Sequence, residues 1–381
     1  MGTLQILPWC GIPRTYRLGE LTLLRVITDE PIEGLPQASE RIIRRFIASY
    51  RALDGTVVDP CAIVAFRSDD PIRELTEAEL NEAAESVQLA AFSSLAARRF
   101  FREPYSNSTC FTRVVQQFDD GPGIAVYSRR RDGGMLDGRI LPATRFGIPP
   151  QAASVRGIEI DDTLFRALTN YRDAAKPSDW VRWQNAIDCF NFANTDDSSI
   201  PLHVEWVMTA AAFQRLTDSA SGAEAVASAF ESALQPEKPI AARDANVRQF
   251  NPKVSARSLR SVWAWEFYSL RGEYAHGKLT TKREHSWEPY EHLFLAAVAF
   301  PLLVKTLLEN AGLYQRTDDD WAQIDAFETL LDSDFFTPPA DSRHSWDTVW
   351  ARLQTQHHGR RQVRKIVNEL FEKMGREDAA D

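Results

Sequence analysis

Cysteine is scarce and scattered in this 381-residue chain: Cys10, Cys61, Cys110 and Cys189 never approach a Cys-x-x-Cys spacing. That excludes a zinc ribbon and a disulfide framework, and it suits a reducing cytoplasm. The start, Met1-Gly2-Thr3-Leu4-Gln5, lacks a basic segment leading into an apolar core, so export is not expected. The longest apolar run, Leu293 to Val304, is too short to span a bilayer and contains Pro301, so it reads as a buried helix. Residues 1–150 hold no Gly-rich phosphate loop or dinucleotide fingerprint, and a Gly-x-Ser-x-Gly nucleophile elbow is missing. Internal repeats are absent. Positive charge is also in deficit: a net charge of −9 argues against a surface that attracts nucleic acid all over.

What remains is an ordinary globular composition, 44% hydrophobic and 25% charged, long enough for more than one domain. Leu21 to Ile27, Ala62 to Phe66, Cys110 to Gln117 and Gly123 to Ser128 read as strands, and Glu77 to Phe101 as one long helix. Ile148-Pro149-Pro150 then marks a linker, beyond which the pattern turns helical. Helices are expected over Asp161 to Ala174, after a Ser178 cap, from Ile200-Pro201 onward and over Ala223 to Leu234. The expected class is α+β: a mixed α/β domain over 1–150, an all-α helical bundle over 151–315 and a helical C-terminal extension over 316–381.

Chemistry concentrates in Arg271-Gly-Glu-Tyr-Ala-His276-Gly277. Leu259, Val262, Trp263, Phe267, Leu270 and Tyr274 recur at helical spacing before it, and Gly277 is a natural stop. A second helix with a Ser286 cap follows, so the pair falls where one buried helix hands over to another. A guanidinium stays charged and forks onto phosphate oxygens, while an imidazole can carry protons near neutrality. Arg352 and His357 repeat the spacing in a polar tail that reads as a solvated face. Residues 251–285 also carry seven Lys or Arg against three Glu, a basic strip in an acidic chain. Lys278, Lys282 and Arg283 are its candidates for RNA phosphates.

Tyr268-Ser-Leu-Arg-Gly-Glu-Tyr-Ala-His-Gly277, preceded by helices at Ala186-Ile187 and Leu202 to Glu205, resembles the Apea-like branch of the HEPN superfamily over about 155–315. The resemblance implies a metal-independent, cofactor-free endoribonuclease of prokaryotic antiviral defence or growth arrest. Arg271 and His276 would be catalytic, supported by Glu273, Tyr274 and Glu205. It also implies a homodimer that faces two motifs onto single-stranded RNA, with no membrane role. One position departs from the pattern: active members carry a polar residue after the arginine, and here it is Gly272.

Each residue has a second reading. Arg271 could form a buried ion pair with Glu205 or Glu273, and His276 could cap helix carbonyls. Tyr274 continues the apolar stripe. Trp180, Trp183, Trp206, Trp263 and Trp265 fall on helical stripes and suit a core better than base stacking. His285, Glu288 and His292 lack a fourth ligand for a metal. A non-catalytic dimerisation module that binds a nucleotide or RNA therefore stands beside the enzyme.

Overall fold

The structure is a computed structural model. It describes residues 2–48, 50–51, 58–67, 70–99, 105–118, 124–129, 135–140, 144–145, 152, 155, 157–220, 222–236, 238–245, 257–275, 285–332, 355, 358–359, 362–363 and 366, with backbone alone for 50–51, 116–118 and the stretches from 124 to 145. It is a mixed α+β protein. Contacts divide the chain into two compact units, one of residues 1–98 and 103–212, the other of 99–102 and 213–381.

The first unit is built on an antiparallel sheet ordered β2-β3-β5-β1-β6-β7-β8. Its strands are β1 (Gly2–Leu7), β2 (Tyr16–Leu18), β3 (Leu21–Val26), β5 (Cys61–Phe66), β6 (Val114–Phe118), β7 (Ile124–Arg129) and β8 (Met135–Ile140). A separate parallel pair joins β4 (Tyr50–Arg51) to β9 (Thr144–Arg145). All six residues of β5 are buried, which is why Cys-Ala-Ile-Val-Ala-Phe shows no alternation. On one face Leu4, Ile6, Leu24, Ile63 and Ala65 pack against Ile43 and Ile47 of α1 (Gln37–Ile47). On the other, Gln5 accepts from Arg113, which also donates to the carbonyl of Leu80 in α2 (Glu77–Leu95). The sheet is thus covered on both sides.

Helix α2 starts at a reciprocal cap: Thr76 accepts from the Glu79 amide while Glu79 accepts from that of Thr76. The Arg73 guanidinium and Thr76 hold Glu79 down at about 2. The helix ends at Leu95, well short of the Phe101 expected from its Ala-rich pattern. Helix α3 (Asp162–Ala174) is capped by Asp161, whose carboxylate takes the Leu164 amide at 2.9 Å. Helix α4 (Pro177–Ala193) begins at Pro177, with Lys176 in the cap position and no side-chain cap; Ser178 is already inside. Both α3 and α4 pack on α2, and α3 also meets β2. They therefore cluster with the sheet, and the division between units falls inside α5 (Leu202–Thr217) and not at the Pro149-Pro150 linker. Cys110 to Gln117 is only half strand: Ser108–Phe111 forms a single 3-10 turn ahead of β6.

The second unit holds the end of α5 with α6 (Ala223–Ala233), α7 (Leu259–Ala275), α8 (Pro289–Asn310) and α9 (Asp318–Leu331). Its core is aromatic. Phe213 lies 5.2–6.1 Å from the rings of Phe230, Trp263, Phe267 and Phe300, all edge-on, and Trp263 stacks on Phe267 at 5.4 Å. Such edge-to-face pairs each add about 1 kcal/mol beyond area burial. Trp180, Trp183, Trp206 and Trp263 are buried, as their helical stripes required. Helix α8 opens with Glu288 as cap, paired reciprocally with Glu291, and Pro289 in its first turn; Ser286 lies ahead of it. At 22 residues α8 is longer than its apolar run and apolar enough to cross a membrane by length and composition. Most of it, 72% of the apolar window, is buried inside the protein, as in a core helix.

Candidate functional site at the end of α7

Helix α7 presents its first turns to the core almost all round: Leu259, Val262, Trp263, Phe267 and Leu270 are buried, and so are Arg260, Glu266 and Tyr268. Polar groups at those depths need partners. Glu328 of α9 lies 3.5 Å from Arg260 and accepts the Ile240 amide at 2.8 Å. Burial pushes the Glu328 carboxyl up to about 7 against the pull of that amide and of Arg260. Glu266 accepts the amides of Ser286 at 2.8 Å and Trp287 at 3.2 Å, and His292 of α8 faces it at 3.1 Å. Burial works to raise Glu266, but the hydrogen bonds from His292, Ser286 and Trp287 outweigh it and hold the carboxyl below its usual value. Burial lowers His292, against the upward pull of the Glu266 carboxylate. The segment of Ser286 and Trp287 is therefore tied to α7 just over one turn before Arg271.

Arg271 sits half-buried near the C-terminal end of the helix. Its Nη1 donates to Tyr268 Oη at 3.2 Å, and its guanidinium carbon lies 5.3 Å from the centre of the Tyr268 ring. Tyr268 Oη in turn donates to Gln214 Oε1 at 2.7 Å. The Nε of Arg271 is shielded from solvent and has no hydrogen-bond partner among the described residues. The ion pair to Glu273 weighed from sequence is not formed, and among the described residues the guanidinium is met by a tyrosine. Glu273 and Tyr274 are both half-buried. Burial first, then the charges of Glu273 and Glu288, raise the Tyr274 hydroxyl. A Cβ built on Gly272 would meet nothing within 4 Å among the described residues, so none of them imposes the departure from the motif by crowding. His276, Gly277, Lys278, Lys282 and Arg283 lie outside the described residues, as do Arg352 and His357.

Glu205 belongs to the first unit and has different company. It lines a cavity of about 310 Å³ with Thr195, Asp196, Asp197, Ile200 and Leu202. Burial and the Asp196 charge raise its carboxyl, and Arg98 works against them. Arg98 is itself engaged by the Ser106 carbonyl at 2.6 Å, Asn194 Oδ1 at 2.8 Å and the Tyr105 ring. Tyr105 donates to Asp196. Sequence placed Glu205 as support for Arg271; its surroundings in the first unit are these.

The arginine's partner Tyr268, and Gln214, which accepts from Tyr268, were not singled out as site residues from sequence. Tyr268 was in plain view at i−3 on the same helix, a spacing at which side chains meet. Gln214 is far away in sequence and carries no local mark. Among the described residues no three His, Cys, Asp or Glu side chains are grouped as a metal would require. Comparison of the chain with protein-family models, curated proteins and solved structures finds no match in any of the three. The resemblance over 155–315 therefore rests on its motif residues alone.

Proposed function

We propose that the protein is an endoribonuclease that cuts single-stranded RNA through Arg271 and His276 without a metal, in prokaryotic antiviral defence or growth arrest and in the cytoplasm. The observation that carries the reading is the Arg271 guanidinium: half-buried, held on a tyrosine, and left with a shielded Nε that no described residue accepts from. A permanent cation with spare donors at a helix end suits a phosphate. In this reading His276 takes the proton of a ribose 2′-hydroxyl, and that oxygen attacks the adjacent phosphorus. Arg271 stabilises the charge that builds on the non-bridging oxygens. The bond to the 5′-oxygen breaks, that oxygen picks up a proton, and a 2′,3′-cyclic phosphate and a 5′-hydroxyl remain. One histidine cannot be base and acid in the same step, so a second copy of the chain supplies the other proton-transfer group across a two-fold axis. Lys278, Lys282 and Arg283 would hold flanking phosphates, and Glu273, Tyr274 and Glu205 are supporting candidates.

The test is cleavage of end-labelled single-stranded RNA by purified wild type and four variants. Arg271→Ala and His276→Ala should each abolish a defined cleavage pattern. Arg352→Ala and His357→Ala, with the same spacing in the polar tail, should leave it intact. Full activity in His276→Ala removes the enzyme reading.

A second reading, a non-catalytic dimerisation and nucleotide- or RNA-binding module, is favoured by Gly272, where active relatives of the motif carry a polar side chain. The open space around that position makes the choice testable. If wild type binds RNA without cutting it and Gly272→Asn cuts, the module reading is correct and the glycine is its cause.

A further inference from the structure

We infer that Tyr268 and Gln214 are positioning residues that fix the orientation of the Arg271 guanidinium; the inference rests on the reading of Arg271 as the phosphate-binding group. An arginine has five N–H donors and no acceptor, so Tyr268 Oη must offer it a lone pair. The single phenolic proton must then go elsewhere. At 2.7 Å stands Gln214 Oε1, which takes it. With the amide turned the other way, Gln214 would donate to the phenol and drive the phenolic proton toward the guanidinium. The order Arg271 to Tyr268 to Gln214 is thus the sense in which the phenol both accepts from the guanidinium and donates to the amide.

The ring adds a second restraint. The guanidinium carbon lies 5.3 Å from the Tyr268 centroid, within the range of a cation–π contact. One hydroxyl and one aromatic face therefore hold a side chain that otherwise rotates about four bonds. Tyr268 itself is only 6% exposed and Gln214 is half-buried on α5, so the restraint is held between two packed helices of the unit. The guanidinium donors not used on Tyr268 have their direction set before any ligand arrives. A guanidinium aimed in advance is worth more to a transition state than one that must be ordered on binding.

The experiment uses full-length protein with 15N-labelled arginine, as wild type, Tyr268→Phe, Gln214→Leu and Tyr290→Phe, the last an exposed tyrosine as control. Rotation about the Arg271 Nε–Cζ bond is read by NMR, with the Arg271 signal assigned from Arg271→Lys, alongside kcat and KM on single-stranded RNA. In wild type the rotation should be slow. Tyr268→Phe keeps the ring and loses the hydroxyl, and Gln214→Leu loses the proton acceptor; both should speed rotation and lower kcat about tenfold with KM little changed. Tyr290→Phe should change neither. Fast rotation in wild type, or unchanged rotation in both variants, overturns the inference whatever the activity. An inactive wild type whose Arg271 is nonetheless slow, and freed by both variants, upholds the positioning and sinks the ribonuclease reading alone.

Discussion

Single residues carry most of what is distinctive here, and Glu328 is the one whose charge is most finely placed. Its carboxyl sits at about 7 because burial outweighs the help of the Ile240 amide and of Arg260. A carboxyl raised in the folded state contributes stability that is fully present below its unfolded value near 4.5 and is lost as pH rises through about 7. Denaturant unfolding at pH 5 and pH 8 should therefore show wild type losing more stability than Glu328→Gln, on the order of 2 kcal/mol. The glutamine keeps an acceptor for Ile240 and removes the titration. Equal losses in the two proteins would show that Glu328 does not titrate in this window. Glu79 works in the opposite sense: held at about 2, its contribution is kept at neutral pH and lost only in strong acid. Arg271 differs from both. Among the described residues it meets a tyrosine where sequence alone offered carboxylates.

At the scale of elements, α7 is the piece on which the site depends, and Gly272 is its weak link. Glycine costs a helix about 1 kcal/mol against alanine, and here it is not compelled by crowding. Gly272→Ala should raise stability by about 0.5 kcal/mol, the low end because the position lies near the helix terminus. A loss of stability would mean that the glycine is needed for backbone geometry. Thr76→Ala, which removes the hydroxyl that accepts from the Glu79 amide and keeps the Thr76 amide for Glu79, should cost about 1 kcal/mol by the same measurement. The helices were largely legible: α3, α5, α6 and α7 begin and end within a residue or two of the boundaries read from periodicity, Pro201 and Asp161. Stops were harder. The Ala-rich run of α2 carries no breaker after Leu95, and the serines at 178 and 286 offered caps that Pro177 and Glu288 pre-empt. Strand β1 gave no sign, because the buried Thr3 and Gln5 hide a central strand under a polar pattern. Of the site, the Arg271 helix was readable from its stripe, whereas the Gln214 contact comes from another helix and has no local signature.

For the whole molecule the decisive property is how many chains make one site. An Arg–His pair supplies one proton-transfer group per copy, and cleavage calls for two, so the active species should be a dimer joined through the helical part. Sedimentation at micromolar concentration should give about twice the 43.1 kDa of one chain. A strict monomer that still cuts RNA would remove the composite site. The phosphate contacts proposed for Arg271, Lys278, Lys282 and Arg283, in a chain of net charge −9, predict that affinity for RNA falls steeply with salt. Cleavage should also survive a chelator, because the nucleophile proposed is the substrate's own hydroxyl and not an activated water. Loss of activity in EDTA, restored by added metal, would count against Arg271 and His276 as the catalytic pair.

That hydroxyl is where the central claim is most exposed. The measurement is cleavage of one single-stranded RNA and of the same oligonucleotide with a single 2′-deoxy substitution at a mapped cut. The account predicts that the cut at the substituted position disappears while neighbouring cuts persist, and that every product ends in a 2′,3′-cyclic phosphate. Unchanged cutting at the deoxy position, or equal cutting of DNA, would contradict it.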